Sequence, residues 1–457
     1  MSLGTVKLVE LDRLKNLDKW YGYERDLTSR SKIPTRIGNM DLHRSCPIQN
    51  KIARYVENID GTVNYWLHPS NSLLRWDNGL PSDLTGADGN LMLFKPGFYF
   101  KAEVEGTKLR KMYSEYPLPG FTYLPPMKMS WVKATFDNIN DRAAAVCSLV
   151  FDENGDPERD VNGFPVMAPN AAQFRGGANN ATLDGTATSQ LGMSRTNVAK
   201  ATVRPKCAAI GAHHGNYRMF SQLAGLYTLE YCNYDAQEAY NPALTADGFK
   251  QGGLGSGTAV VSSEWSTFNG YYGYIPEGVT AKLGNQTGVV DYVIKDWGGL
   301  GVDKTVQVAS WHGLEKYFEY QWELADDLLV YHQSDAEGGL SIAYVCDNPD
   351  LFANPANDSL PAIPTGYVER ASLPRMSAYG LNEAANSHGD MLITEISGSA
   401  NEGLCDYYYF PTGGQGWYGA LLVGSGYAGT ACGSRYVDTA NRSSLAYAPI
   451  GFRLGRN

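Results

Sequence analysis

The chain has 457 residues, 43% hydrophobic and 19% charged, which describes a folded chain with a sizeable core and excludes intrinsic disorder. Its 38 basic and 48 acidic residues leave a net charge of −10, which argues against a nucleic-acid binder, since that class needs a basic face for phosphates. Fifty glycines and 30 tyrosines predict a turn-rich, β-containing protein with long ordered loops, suited to surface contact.

The first twenty residues, MSLGTVKLVELDRLKNLDKW, contain neither an apolar core segment nor a cleavage site, so no export signal is expected. No run of about eighteen apolar residues occurs, so no membrane insertion is expected. Leu8, Leu11, Leu14 and Leu17 recur every three residues, which predicts a short amphipathic helix. SRSKIPTRIGN (29–39) reads as an extended linker. Residues 1–45 therefore read as an N-terminal arm, either a frayed end or an attachment and oligomerisation element.

Residues 46–116 read as a β-rich shoulder. Asp60-Gly61 is a hairpin dipeptide followed by alternating Val63, Tyr65 and Leu67. Asp88-Gly89 repeats the device. FYFKAEVEGTKLRKM alternates with period two, and Glu105-Gly106 supplies the turn.

From residue 117 to 457 short helical pieces are expected between long loops such as GGANNATLDGTATSQLGMSRTN (176–197). Phe220, Leu223, Leu226, Tyr227 and Tyr231 predict a buried helix over 217–232. Leu314, Tyr317, Phe318, Trp322 and Leu324 lie on a similar stripe within 311–330. PIGFRL predicts a closing strand. The fold class expected is α+β: a β-rich N-terminal region followed by a larger domain with long loops. Trp322 and Phe452 are expected in its core.

Several chemical motifs fail on inspection. FDENGDPERD (151–160) places Asp152, Asn154 and Asp156 as a calcium loop does, but Pro157 follows and Gly163 occupies the twelfth position, where a Glu is needed. GGLGSG (252–257) lacks the spacing of a dinucleotide fingerprint. His213 and His214 are adjacent, so in an extended segment they point to opposite faces and do not share a metal with Cys207. No G-x-S-x-G elbow is present. No catalytic residue, metal or cofactor is expected. The seven cysteines (Cys46, Cys147, Cys207, Cys232, Cys346, Cys405, Cys432) are scattered, odd in number and without a C-x-x-C pair, and so read as free buried thiols made in a reducing cytosol.

Residues 402–457 are the most unusual tract. They hold seven tyrosines, Trp417 and eleven glycines, and no lysine follows Lys316. Tyr and Trp give rigid contact area while Gly and Ser adapt, and lysine is depleted at contact surfaces. Tyr407, Tyr408, Tyr409, Trp417, Tyr418, Tyr427, Arg435 and Tyr436 are therefore the expected ligand-binding residues. They should line one exposed face within 402–450. If Tyr407–Tyr409 is a strand, Tyr408 should point opposite to Tyr407 and Tyr409.

SWHGLEKYFEYQWELADDLLV resembles a segment of the C-type-lectin-like domains in phage receptor-binding proteins. Gly313, Leu314, Glu315, Trp322 and Asp326 match, whereas Lys316, Glu319 and Asp327 depart. Cys405–Tyr409 and Ile450–Leu454 resemble the tail of the same domains, as do NPALTADGFKQGGLG (241–255) and SRTN (194–197) their interior. Residues 43–72 and YPLPGF resemble the N-terminal part of such proteins from gut Bacteroides phages. The likeness extends across most of residues 43–457, and residues 1–42 lie outside it. It implies a virion tail or head fibre, a homotrimer made in the bacterial host cytoplasm. The N-terminal arm would join other virion proteins, and a lectin-like surface would hold a host-cell receptor, glycan or protein. In some relatives a diversity-generating retroelement rewrites that surface. The fold is shared with formylglycine-generating enzymes, so an oxidase using Cys405 and Cys432 is an alternative, as is a cellular surface adhesin. Calcium-lectin sugar motifs are missing, so a metal-bridged sugar is not expected.

Overall fold

The computed structural model describes residues 16–177, 180–255, 275–318, 320–353, 362–411, 414–426, 428–442 and 444–456. Period-two alternation and left-handed turn glycines build the N-terminal part. The strand Ala53–Glu57 pairs antiparallel with Val63–His68 across Asp60-Gly61, where Gly61 has φ +88°. Phe98–Glu105 pairs with Lys108–Ser114 across Gly106, at φ +59°. L-residues reach such values only with strain, so glycine sits at both turns.

These hairpins belong to two sheets. The five-stranded sheet runs Thr35–Gly38, Trp20–Asp26, Lys108–Ser114, Phe98–Glu105, Thr122–Leu124. The six-stranded sheet runs Gly455–Arg456, Met127–Ser130, Asn90–Lys95, Ala53–Glu57, Val63–His68, Asn71–Arg75. The arm and linker expected before residue 46 are thus corrected over the described residues. Trp20–Asp26 is an interior strand, and Thr35–Gly38 lies in the segment read as linker. Helix α1, Met40–Ser45, follows, with the Asn39 side chain accepting from the backbone N–H of Asp41 and Leu42. Leu8, Leu11 and Leu14 lie outside the described residues.

Helix α2 spans Lys200–Ala208 and α3 spans Tyr217–Tyr231. Every α3 residue except Arg218 is buried, as the spacing of its apolar residues predicts. A three-stranded sheet, Gly288–Ile294, Lys304–Trp311 and Leu314–Glu315, leads into a nine-stranded one. At the centre of the latter, Trp322–His332 pairs with Ser341–Cys346 on one side and Gly416–Leu422 on the other.

The α+β expectation, with a lectin-like second domain, is corrected: the chain is β-rich, with 36% strand, 13% helix and three α-helices among the described residues. The main reason lies in 311–330. Its helical stripe forms strands, because Trp322–His332 is buried along all eleven residues and need not alternate. Glu323 within it is buried with partners, 2.5 Å from Lys133 and 3.0 Å from Arg453.

One hydrophobic core extends from Tyr21 to Leu454 and includes Phe452, with Trp322 at its margin. A second buried ionic knot joins Glu383 to Arg435 at 2.7 Å and to Lys111 at 3.2 Å. The five-stranded sheet crosses both expected domain boundaries, at 45/46 and 116/117, and the last strand, Gly455–Arg456, closes the six-stranded sheet.

Candidate functional site

The tyrosine-rich tract is mostly interior. Tyr407–Tyr409 forms a strand between Ala378–Glu383 and Val437–Asp438. Tyr408 is buried while Tyr407 and Tyr409 are half-buried, the alternation a strand requires. The Tyr407 and Tyr409 rings lie 4.5 Å apart, and Tyr379 meets Tyr407 edge-on at 5.0 Å. Trp417 and Tyr418 are only 1% and 2% exposed. Trp417 packs on Tyr331 and Tyr344, and the Tyr418 ring carries the Arg442 guanidinium at 3.9 Å. Arg435 is bound to Glu383, and Tyr436 is buried against Tyr409. Tyr427 lies outside the described residues.

The expected single exposed face is therefore corrected, since five of the eight residues are core. The physical reason is that large aromatic rings fill a two-faced sheet interior as well as they fill an interface. Neighbouring aromatics on one strand can then be buried on opposite faces. Arg435 passes for a contact residue in the sequence because its partner, Glu383, lies 52 positions away.

The remaining motifs resolve as structure. Asp152 Oδ1 accepts the backbone N–H of Asn154 and of Asp156, each at 2.9 Å, which makes a polar hairpin loop. GGLGSG extends into residues outside the described ones. His214 is fully buried, with Nε2 3.5 Å from Asp326. All seven cysteines are free and buried. Burial pushes the Cys405 thiol well up, and the Cys432 thiol donates to the Ser425 carbonyl at 2.9 Å. Buried, protonated thiols are poor nucleophiles. Among the described residues no group of three or more His, Cys, Asp or Glu could hold a metal.

A different place has the shape of a site. A recess of about 420 Å³ opens where the hairpin at Pro69-Ser70, the C-terminal end of α3, the segment 240–250 and the turn at His312 converge. Ligand sites run from about 300 to 1,000 Å³. Tyr231 and Tyr240 form walls, and the amides of Asn50, Asn241 and Gln286 reach the surface around it. Behind the floor lies Glu230, from the last turn of α3 and wholly buried. Its carboxylate accepts from Trp311 Nε1 at 3.2 Å, from His312 Nε2 at 2.8 Å, and from Lys250 Nζ. Burial alone would raise this carboxyl, but His312 and Lys250 outweigh it and hold it at about 2. The Lys250 ammonium is in turn raised, burial opposing and Glu230 prevailing.

Local geometry fixes each part. His312 has φ +45°, a left-handed conformation that turns the chain from Lys304–Trp311 into Leu314–Glu315. Its backbone N–H donates to Thr287 Oγ1 at 3.1 Å. Gly284, at φ +57°, lies so close to Pro69 that a Cβ would sit 2.5 Å from the Pro69 carbonyl oxygen. Asn285 then accepts from the Arg54 N–H at 2.8 Å. Such an arrangement can hold a small polar ligand against aromatic walls.

Sequence reasoning missed this recess, because its residues come from six separated segments. The only local signal was the Trp311-His312-Gly313 turn after an alternating strand. A larger recess, about 520 Å³, lies beside His213, His214 and Asp326. Its charges face one another: Arg204 is bidentate on Asp326 at 2.8 and 2.7 Å, and Arg456 is held by Glu57. No protein-family model, curated protein or solved structure matches the chain.

Proposed function

We propose that the chain is a phage virion protein, a tail or head fibre, that attaches the particle to a receptor on the host-cell surface and performs no catalysis. The order of the motifs along residues 43–457 supports the virion assignment. The observation that carries the binding role is the recess over Glu230, which is ligand-sized, walled by tyrosine and amide, and set between a sheet, a helix and a tight turn. Seven buried free thiols suit assembly in a reducing host cytoplasm. The same burial disfavours the oxidase alternative, which needs Cys405 and Cys432 in an open cleft. The fibre is a homotrimer, in keeping with the closed symmetry of virion appendages.

Competition for host cells tests this. Purified full-length chain should block adsorption of particles, mass spectrometry should find it in purified virions, and light scattering should give a trimer. Absence from virions, or failure of the folded chain to compete, refutes the reading.

A further inference from the structure

We infer that the recess takes an uncharged sugar unit of a surface glycan, an inference that rests on the receptor reading for its biological setting. Charge balance is the first argument. Glu230 already accepts three hydrogen bonds, and Lys250 neutralises it. Among the described residues the lining contains no carboxylate, and its lysine, Lys250, is already paired with Glu230. A cationic ligand would find no free carboxylate, and an anionic one would meet a lysine already neutralised.

Hydrogen-bond inventory is the second argument. A carboxylate only accepts, so His312 donates to it through Nε2–H, which leaves Nδ1 as the ring's second polar atom. Lys250 has three N–H groups and gives one to Glu230. The Lys250 ammonium and the His312 ring are thus anchored on one carboxylate. Two neighbouring hydroxyls suit both, one accepting from Lys250 and the other pairing with His312 Nδ1, since a hydroxyl both donates and accepts. Hydroxyls also pair with amides such as Gln286, which donate and accept alike. The half-buried Tyr240 lines the recess, where an aromatic ring can pack on the C–H side of a pyranose.

The test uses the purified full-length chain and the methyl glycosides of glucose, galactose and mannose, with dextran and mannan as polymers and glucuronic and galacturonic acids as charged counterparts. Saturation-transfer NMR and calorimetry read binding. At least one neutral probe should bind, and more tightly than any uronic acid. Tyr240→Ala and Gln286→Ala should each weaken it about tenfold while unfolding like wild type, and Lys250→Met should abolish it. The inference is overturned if no neutral probe binds, if a uronic acid binds more tightly than its neutral counterpart, or if folded Tyr240→Ala binds as wild type does. Sugar binding by a chain absent from virions would remove the receptor reading and leave this one. Competition for host cells without sugar binding would do the reverse.

Discussion

Replacing Glu230 with Gln removes one charge and almost no volume, so its effect isolates the electrostatics behind the recess. A carboxyl that titrates near 4.5 in the unfolded chain and at about 2 in the folded one contributes about 3 kcal/mol of stability. Because the folded value is depressed, that contribution is complete above pH 4.5 and is lost as pH falls toward 2. Burial is total, so solvent screening does not reduce it. Glu230→Gln should therefore lose about 3 kcal/mol at pH 7, leaving the Lys250 ammonium without its counter-charge. The gap between variant and wild type should close as pH falls from about 5 to 2. Asp326, also held at about 2, gives both proteins an acid limb of their own, so only the difference between the two curves is diagnostic. Urea unfolding at pH 7, 5, 4 and 3 measures it. A variant as stable as wild type at pH 7, or a deficit constant across that range, would mean that Glu230 is not ionised and paired as described.

Other perturbations read other parts of the fold. Phe452→Ala, at a fully buried position against Phe136, should cost about 3–5 kcal/mol in denaturant unfolding. Arg456→Met removes the nearer of the two cations beside the buried Glu57, leaving Lys128 at 3.9 Å, and should cost about 3 kcal/mol by the same measurement. Trp417→Ala should destabilise by about 3–5 kcal/mol, whereas the half-buried Tyr407→Ala should cost about 1 kcal/mol. Equal losses would put Tyr407 in the core. An Ellman titration should find none of the seven thiols reactive in the native chain and all of them after denaturation.

Local features were legible in the sequence, and partners distant along the chain were not. Asp60-Gly61 and Glu105-Gly106 mark hairpins because left-handed turns need such residues, and both hairpins form. Helix α3 is legible because its apolar residues repeat at helical spacing. The stripe at 311–330 misleads: Trp322–His332 is buried on both faces, and a fully buried strand carries no period of its own. Arg435 and Tyr436 mislead differently. Composition counts aromatic and basic groups without revealing that Glu383, Tyr409 and Met391 enclose them. The recess was invisible because Glu230, Lys250, Thr287 and His312 meet only in three dimensions.

The pairing of Gly455–Arg456 with Met127–Ser130 bears on how the molecule acquires its shape. Until that segment is in place, Met127–Ser130 is an open sheet edge, and open edges invite pairing between chains. Arg456 also reaches back almost 400 residues to Glu57, so this closure comes at the far end of the loop-entropy scale. Folding should then be slow and prone to aggregation at its last step. Inserting residues directly after Arg456, or removing residues 450–456, should lower the yield of native protein far more than comparable changes ahead of Trp20.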